Sequence, residues 1–140
     1  MPASDSLGII EGLTSIRSSF GPKETMDRLA TEIQAREMKV FARIDHAAGA
    51  AEVGLTLRPT ELIIFGNARG GTPFMQSVQT VGIDLPLRLL VWEDAAGKAW
   101  ISYNEPSWIA RRHGLRNAEQ VVSKMGAALS AIARKAANSN

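Results

Sequence analysis

One hairpin constrains this chain more than any other stretch. Leu85 to Asp94 and Lys98 to Asn104 both follow the two-residue side-chain period of a strand, and Ala95-Ala96-Gly97 joins them. A three-residue loop with glycine in the left-handed position fixes the register of the strands it connects. Asp94 then pairs with Lys98, and counting outward by two pairs Trp92 with Trp100, Leu90 with Ser102 and Arg88 with Asn104. The alternate face carries Leu85, Leu87, Leu89, Val91, Ala99, Ile101 and Tyr103; it is the more apolar and is expected to meet helices. At least part of the sheet must therefore be antiparallel.

Helical patterns flank this hairpin. Pro22 opens a helix in which Met26, Leu29, Ala30 and Ile33 share one buried face. Lys39 to Asp45 reads as a strand, with Val40, Ala42 and Ile44 alternating against Phe41, Arg43 and Asp45. His46 to Val53 reads as a short helix closed by Gly54. Thr60 to Phe65 is a strand, Gly66 to Gly71 a loop, and Thr72-Pro73 the cap and first residue of the next helix. Pro106 to His113 is a helix ended by Gly114. Asn117 caps a last helix with Val121, Met125, Ala128, Leu129 and Ile132 inward. Gly12 to Ser19 is read as a first strand, residues 1–11 as a loose lead-in and residues 136–140 as a frayed end. Helices interleaved with an antiparallel hairpin predict an α+β two-layer sandwich, a largely antiparallel sheet with helices on one face, in one domain over residues 1–140.

The sequence has no cysteine, which removes disulfides and thiolate chemistry and fits a reducing compartment. Leu7-Gly8-Ile9-Ile10 is too short for a signal-peptide core, and no run approaches the ~20 apolar residues that cross a bilayer. A cytoplasmic protein with no membrane partner is expected. The net charge is +2 and the basic residues are scattered apart from Arg111, Arg112, His113 and Arg116, which argues against nucleic acid as a partner.

Several segments together resemble one family. They are Thr25-x-x-Arg28-Leu29, Phe41-Ala42-Arg43-Ile44-Asp45-His46-Ala47-Ala48, Ile64-Phe65-Gly66-Asn67, Gly71-Thr72-Pro73, Asp84-Leu85-Pro86-Leu87, Trp92-Glu93-Asp94 and Ser102-Tyr103-Asn104. In this order, from Thr25 to His113, they resemble the family named domain of unknown function 302. Ala68, where that family usually has proline, and Phe74, where it has leucine, depart from its pattern. The resemblance implies a sandwich similar to the TATA-binding-protein fold, often homodimeric, and implies no activity.

The candidate sites each have two readings. Gly66 to Thr72, with Asn67, Arg69, Gly70 and Gly71, lies between a strand and a helix, the layout of an anion-binding loop for a small anionic ligand. It lacks the lysine of a nucleotide-binding loop, and the same layout serves as a plain connector. Asp45 could orient His46 as a general base, or could cap the following helix. Glu93 and Asp94 point to opposite sides of a strand and cannot readily share an ion; solvated turn charges are the expectation. The Arg111-Arg112-His113 cluster suits a helix C-terminus. The two histidines, 46 and 113, give no metal-ligand spacing, so no metal and no cofactor are expected.

Two function classes follow. One is a non-catalytic binding or regulatory homodimer, with Trp92, Trp100 and Arg88 at its interface. The other is an enzyme or binder for a small anionic ligand, drawing on Asp45, His46, Glu93 and Tyr103 with the Asn67–Thr72 segment. Convergence of Asp45, His46, Asn67 and Tyr103 on one pocket would favour the second.

Overall fold

The structure is a computed structural model that describes residues 9–138. Its strands are β1 (Leu13–Arg17), β2 (Lys39–Asp45), β3 (Thr60–Gly66), β4 (Leu87–Glu93) and β5 (Ala99–Asn104). Its α-helices are α1 (Pro22–Ala35), α2 (His46–Glu52), α3 (Ala68–Ser77), α4 (Pro106–Arg112) and α5 (Glu119–Ala137), with a 3-10 turn at Gln79–Ile83. The strands form one sheet in the order β1-β5-β4-β3-β2, with every neighbouring pair antiparallel. The α+β architecture expected from the sequence is the one observed.

The hairpin register is as expected where the strands pair, although β4 begins at Leu87 and the ladder ends at Leu90–Ser102, short of the expected Arg88–Asn104 pair. Trp92 pairs with Trp100 and Leu90 with Ser102. Gly97 takes φ +82 in the turn, where its N–H donates to the Asp94 carbonyl at 3.0 Å. The main core lies between the sheet and the two long helices. Met26, Leu29 and Ile33 of α1 and Leu129, Ile132 and Ala133 of α5 meet Ile63, Phe65, Leu89, Val91, Ile101 and Tyr103. The long helices α1 and α5 both pack on this one face of the sheet. A smaller apolar cluster of Phe74, Val81 and Ile109, with Trp108 and Val122 against it, links α3, the 3-10 turn and α4 to the start of α5.

Three helices stop in the same way. At the end of α1, Met38 N–H donates to the Ile33 carbonyl and Glu37 N–H to the Gln34 carbonyl. The ends of α2 and α4 repeat this with Gly54 and Gly114 in the left-handed position, as their sequences suggest. At α1 the left-handed residue is Glu37, φ +61, which pays a steric penalty that glycine avoids. Gly12, φ +77, is required for another reason: a Cβ there would lie 2.2 Å from the Trp108 ring.

Five expectations are corrected. First, Gly66 to Gly71 is not a loop, and Thr72 is not a cap. Helix α3 starts at Ala68, because the Asn67 side chain accepts from Gly70 N–H at 2.7 Å, so Pro73 falls inside the helix. The bond proline cannot make would go to the Arg69 carbonyl, on an exposed residue. Second, Asn117 does not cap α5; it takes φ +57 in the preceding turn, and Ala118 stands at the cap. Third, Val121 is 45% exposed, since the first turns of α5 direct Val122 and Met125 toward α4, and the buried stripe runs through Leu129, Ile132, Ala133, Ala136 and Ala137.

Fourth, the end of α5 is not frayed through Ala137. Arg28 of α1 donates to the carbonyls of Ala136 at 2.8 Å, Asn138 at 2.9 Å and Lys135 at 3.1 Å. Ser19 N–H donates to the Ala137 carbonyl at 2.7 Å. These donors satisfy carbonyls that a helix end leaves orphaned, and Ala136 and Ala137 are buried. Residues 139 and 140, and 1–8 of the lead-in, lie outside the described residues. Fifth, a bulge in β2 between Val40 and Ala42 interrupts the alternation. Val40 pairs with Phe65 on the helix side, whereas Ala42 and Ile44 pair with Ile64 and Leu62 on the open side.

Candidate functional site

The residues that could have formed a catalytic set are dispersed. Asp45 caps α2, its carboxylate accepting from Ala48 N–H at 2.9 Å, and His46 beside it is exposed. Asp45 pairs with Glu61 near one end of β3, while Asn67 follows the other end, so the two are separated by roughly 20 Å at ~3.3 Å per residue. Tyr103 is buried beneath α5, where burial and then the Glu105 charge raise its phenol above the ordinary range, partly offset by a hydrogen bond with Ser130. Glu93 ends β4, its backbone held by Pro59 and Arg58. Among the described residues no three histidine, aspartate or glutamate side chains gather as a metal site would require.

The Asn67–Thr72 segment forms the first turns of α3. Two of its N–H groups are engaged within the helix: Gly70 donates to the side chain of Asn67, and both Gly70 and Gly71 donate to its carbonyl. Arg69 is exposed. The inner surface of this turn borders a cavity of about 450 Å³. Met38 and Phe41 close it on the β2 side, Leu85 and Pro86 on the β4 side, and Met125 and Ala128 of α5 form the floor.

The hairpin's polar groups hold its aromatic face in place. Trp92 and Trp100 stack with centroids 6.1 Å apart and planes 19° from parallel. Trp92 Nε1–H donates to Ser102 Oγ at 2.8 Å, and the Ser102 hydroxyl is 2.6 Å from that of Ser15. Trp100 Nε1–H donates to Asp94 Oδ2 at 2.9 Å, while Ala96 and Lys98 N–H donate to Oδ1. Asp94 is therefore a turn staple and not a solvated charge. The Trp100 hydrogen bond first, then those from Lys98 and Ala96, hold its carboxyl below the usual range. Thr60, Leu62, Ile64, Arg88 and Leu90 share this face through their register with the two tryptophans.

A second polar constellation was not legible beforehand. Asp84 accepts from Arg112 at 2.9 Å and lies 2.6 Å from His113 Nε2, while His113 Nδ1 is 3.0 Å from Thr80 Oγ1. It ties the 3-10 turn to the end of α4. The basic cluster at 111–113 thus serves a tertiary contact as well as a helix end. No linear spacing signals a partner 29 positions away.

Comparison with known proteins adds a lineage. A family model described as "Domain of unknown function DUF302" matches residues 14–132. The chain is 48% identical over 116 residues to a Brucella suis biovar 1 (strain 1330) protein named "Fluoride-specific ion channel FluC 1", a match covering 83% of this chain and 46% of that protein. A Brucella abortus biovar 1 (strain 9-941) protein of the same name matches equally over 43% of its length. The chain thus spans less than half of each of these relatives. Among solved structures, "uncharacterized conserved protein DUF302 from Bacillus stearothermophilus" superimposes with a TM-score of 0.82 at 18% identity, covering 92% of this chain and all of that one. That likeness establishes the fold.

Proposed function

We propose that this chain, which belongs to the DUF302 family, is a non-catalytic binding protein that works as a homodimer closed through its open sheet face. The observation that carries the reading is the sheet face turned away from α1 and α5, where the two tryptophans stay half-buried within the chain. Both indole N–H groups bond within the chain, so what is left for a partner is two stacked rings beside Leu62, Ile64 and Leu90. Tryptophan and arginine, here Trp92, Trp100, Arg17 and Arg88, are the residues enriched at the centres of interfaces. Five strands of five to seven residues, ~4.8 Å apart and rising ~3.3 Å per residue, give a face of roughly 500 Å². Two such faces bury about 1,000 Å², at the lower limit for a specific interface.

The dispersal of Asp45, His46, Asn67, Glu93 and Tyr103 supports the non-catalytic half of the proposal. A cytoplasmic setting belongs to the same reading and fits the cysteine-free sequence. The channel activity named for the Brucella relatives belongs to proteins more than twice as long as the match, and no helix among the described residues here is long and apolar enough to cross a membrane. Sedimentation equilibrium at micromolar concentration tests the dimer. Wild type should sediment as two chains and Trp92→Ala/Trp100→Ala as one; a monomeric wild type, or a folded double variant that stays fully dimeric, removes the proposal.

A further inference from the structure

A half-open cavity lies between α3, α5 and the starts of β2 and β4. We infer that it binds a small, uncharged, apolar molecule, a role independent of the dimer. Its size, about 450 Å³, lies within the ~300–1,000 Å³ of small-molecule sites. None of its lining side chains is charged. Arg69, the one cation in the neighbouring turn, is exposed and does not border it. A carboxylate or phosphate entering this space would lose its water and find no counter-charge, so the cavity itself does not suit an anionic ligand.

Two features argue that the space is built and is not loose packing. The first is its walls. A Cβ added at Gly71 would project to 3.7 Å from Leu85 and 3.8 Å from Met75, two lining residues, so the bare glycine leaves that volume open. The second is its chemistry. Three of the chain's five methionines line it: Met38 from the turn before β2, Met75 from α3 and Met125 from α5. Thioether side chains adapt to the outline of an apolar guest and make favourable contacts with aromatic rings. Phe41, displaced by the β2 bulge and 49% exposed, stands at the rim. Asn67 and Thr72 are the lining residues with polar side chains, and the Asn67 Oδ1 is engaged by Gly70. That leaves a narrow polar margin, suited to a guest with a single hydroxyl or carbonyl and otherwise hydrocarbon or aromatic.

The test uses two fluorescent probes of similar shape, uncharged N-phenyl-1-naphthylamine and anionic 1-anilinonaphthalene-8-sulfonate. The uncharged probe should bind one per chain with a Kd on the order of 10 µM, and the sulfonate at least tenfold more weakly. Ala128→Leu, which fills the floor from a half-buried helical position, should weaken the uncharged probe at least tenfold. Phe41→Asp, at the exposed rim, should do the same without touching the core and decides the matter if the first variant does not fold. Trp92→Ala/Trp100→Ala should bind as wild type. Absence of saturable binding, tighter binding of the sulfonate, or binding abolished by the tryptophan variant and untouched at Ala128 and Phe41 would each overturn the inference.

Discussion

Arg28 should be worth more to this protein than its place on a helix surface suggests. Its guanidinium closes three carbonyls at the end of α5 and lies 4.1 Å from the Phe20 ring centroid. In Arg28→Ala the exposed Lys135 and Asn138 carbonyls can turn to water, but the carbonyl of buried Ala136 loses its partner. An unsatisfied buried acceptor costs ~1–3 kcal/mol and the lost cation–π contact ~0.5–1, so the variant should lose about 1.5–4 kcal/mol. Urea denaturation, with an unchanged slope and a lowered midpoint, measures it. Arg28→Lys keeps the charge but not the fork of donors, and should recover only part of the loss. A loss under ~0.5 kcal/mol, or full recovery with lysine, would refute the view that α5 is held at its end by this clamp.

Three further outcomes are expected. Glu37→Gly should raise the unfolding free energy by about 0.5–1 kcal/mol, because glycine relieves the left-handed strain and loses part of the gain to its own entropy; an unchanged or lower midpoint contradicts the proposed helix stop. Asp45→Ala should cost about 0.5–2 kcal/mol through loss of the α2 cap, and Asp45→Asn much less; equal losses would separate the residue from capping. The single tyrosine permits a clean titration by phenolate absorbance. Tyr103 is raised in the fold, so its contribution to stability is complete below the unfolded value of ~10 and is lost as pH rises beyond it; an absorbance midpoint at or below ~10 in the folded protein would contradict its burial.

Where a feature depended on neighbours in sequence, it was legible. Gly97 and the alternation either side of it were enough to pair Trp92 with Trp100, and Pro22 with the 26-29-33 spacing was enough to place α1. Competition between local signals produced the errors. Asn67 and Thr72 are both good caps, and proline after threonine favours the later start; the asparagine prevails because it sits where β3 ends. Asn117 can cap a helix or take a left-handed turn, and the turn after Gly114 uses the second ability. Features made by distant segments carried no linear signal at all. Arg28 and Ala136 are 108 positions apart, the His113–Asp84 contact joins a helix end to a 3-10 turn, and the apolar cavity takes its methionines from three distant stretches of chain. The Asp45 cap was one of two readings of that residue, and the structure favours it through the bond to Ala48.

Because the sequence has no cysteine, a single introduced one reports its position without interference, and pulsed electron spin resonance can then measure the dimer directly. Spin labels at Thr60→Cys, on the open sheet face, and at Gln34→Cys, on the exposed side of α1, sit on opposite layers of the chain. Sheets packed face to face lie about 10 Å apart, and each helix layer adds a comparable distance. A dimer closed through the tryptophan face should give a Thr60 pair within roughly 30 Å and a Gln34 pair farther apart, at roughly 30 Å or more. A Gln34 distance shorter than the Thr60 distance, or no dipolar signal from either at micromolar protein, would contradict it.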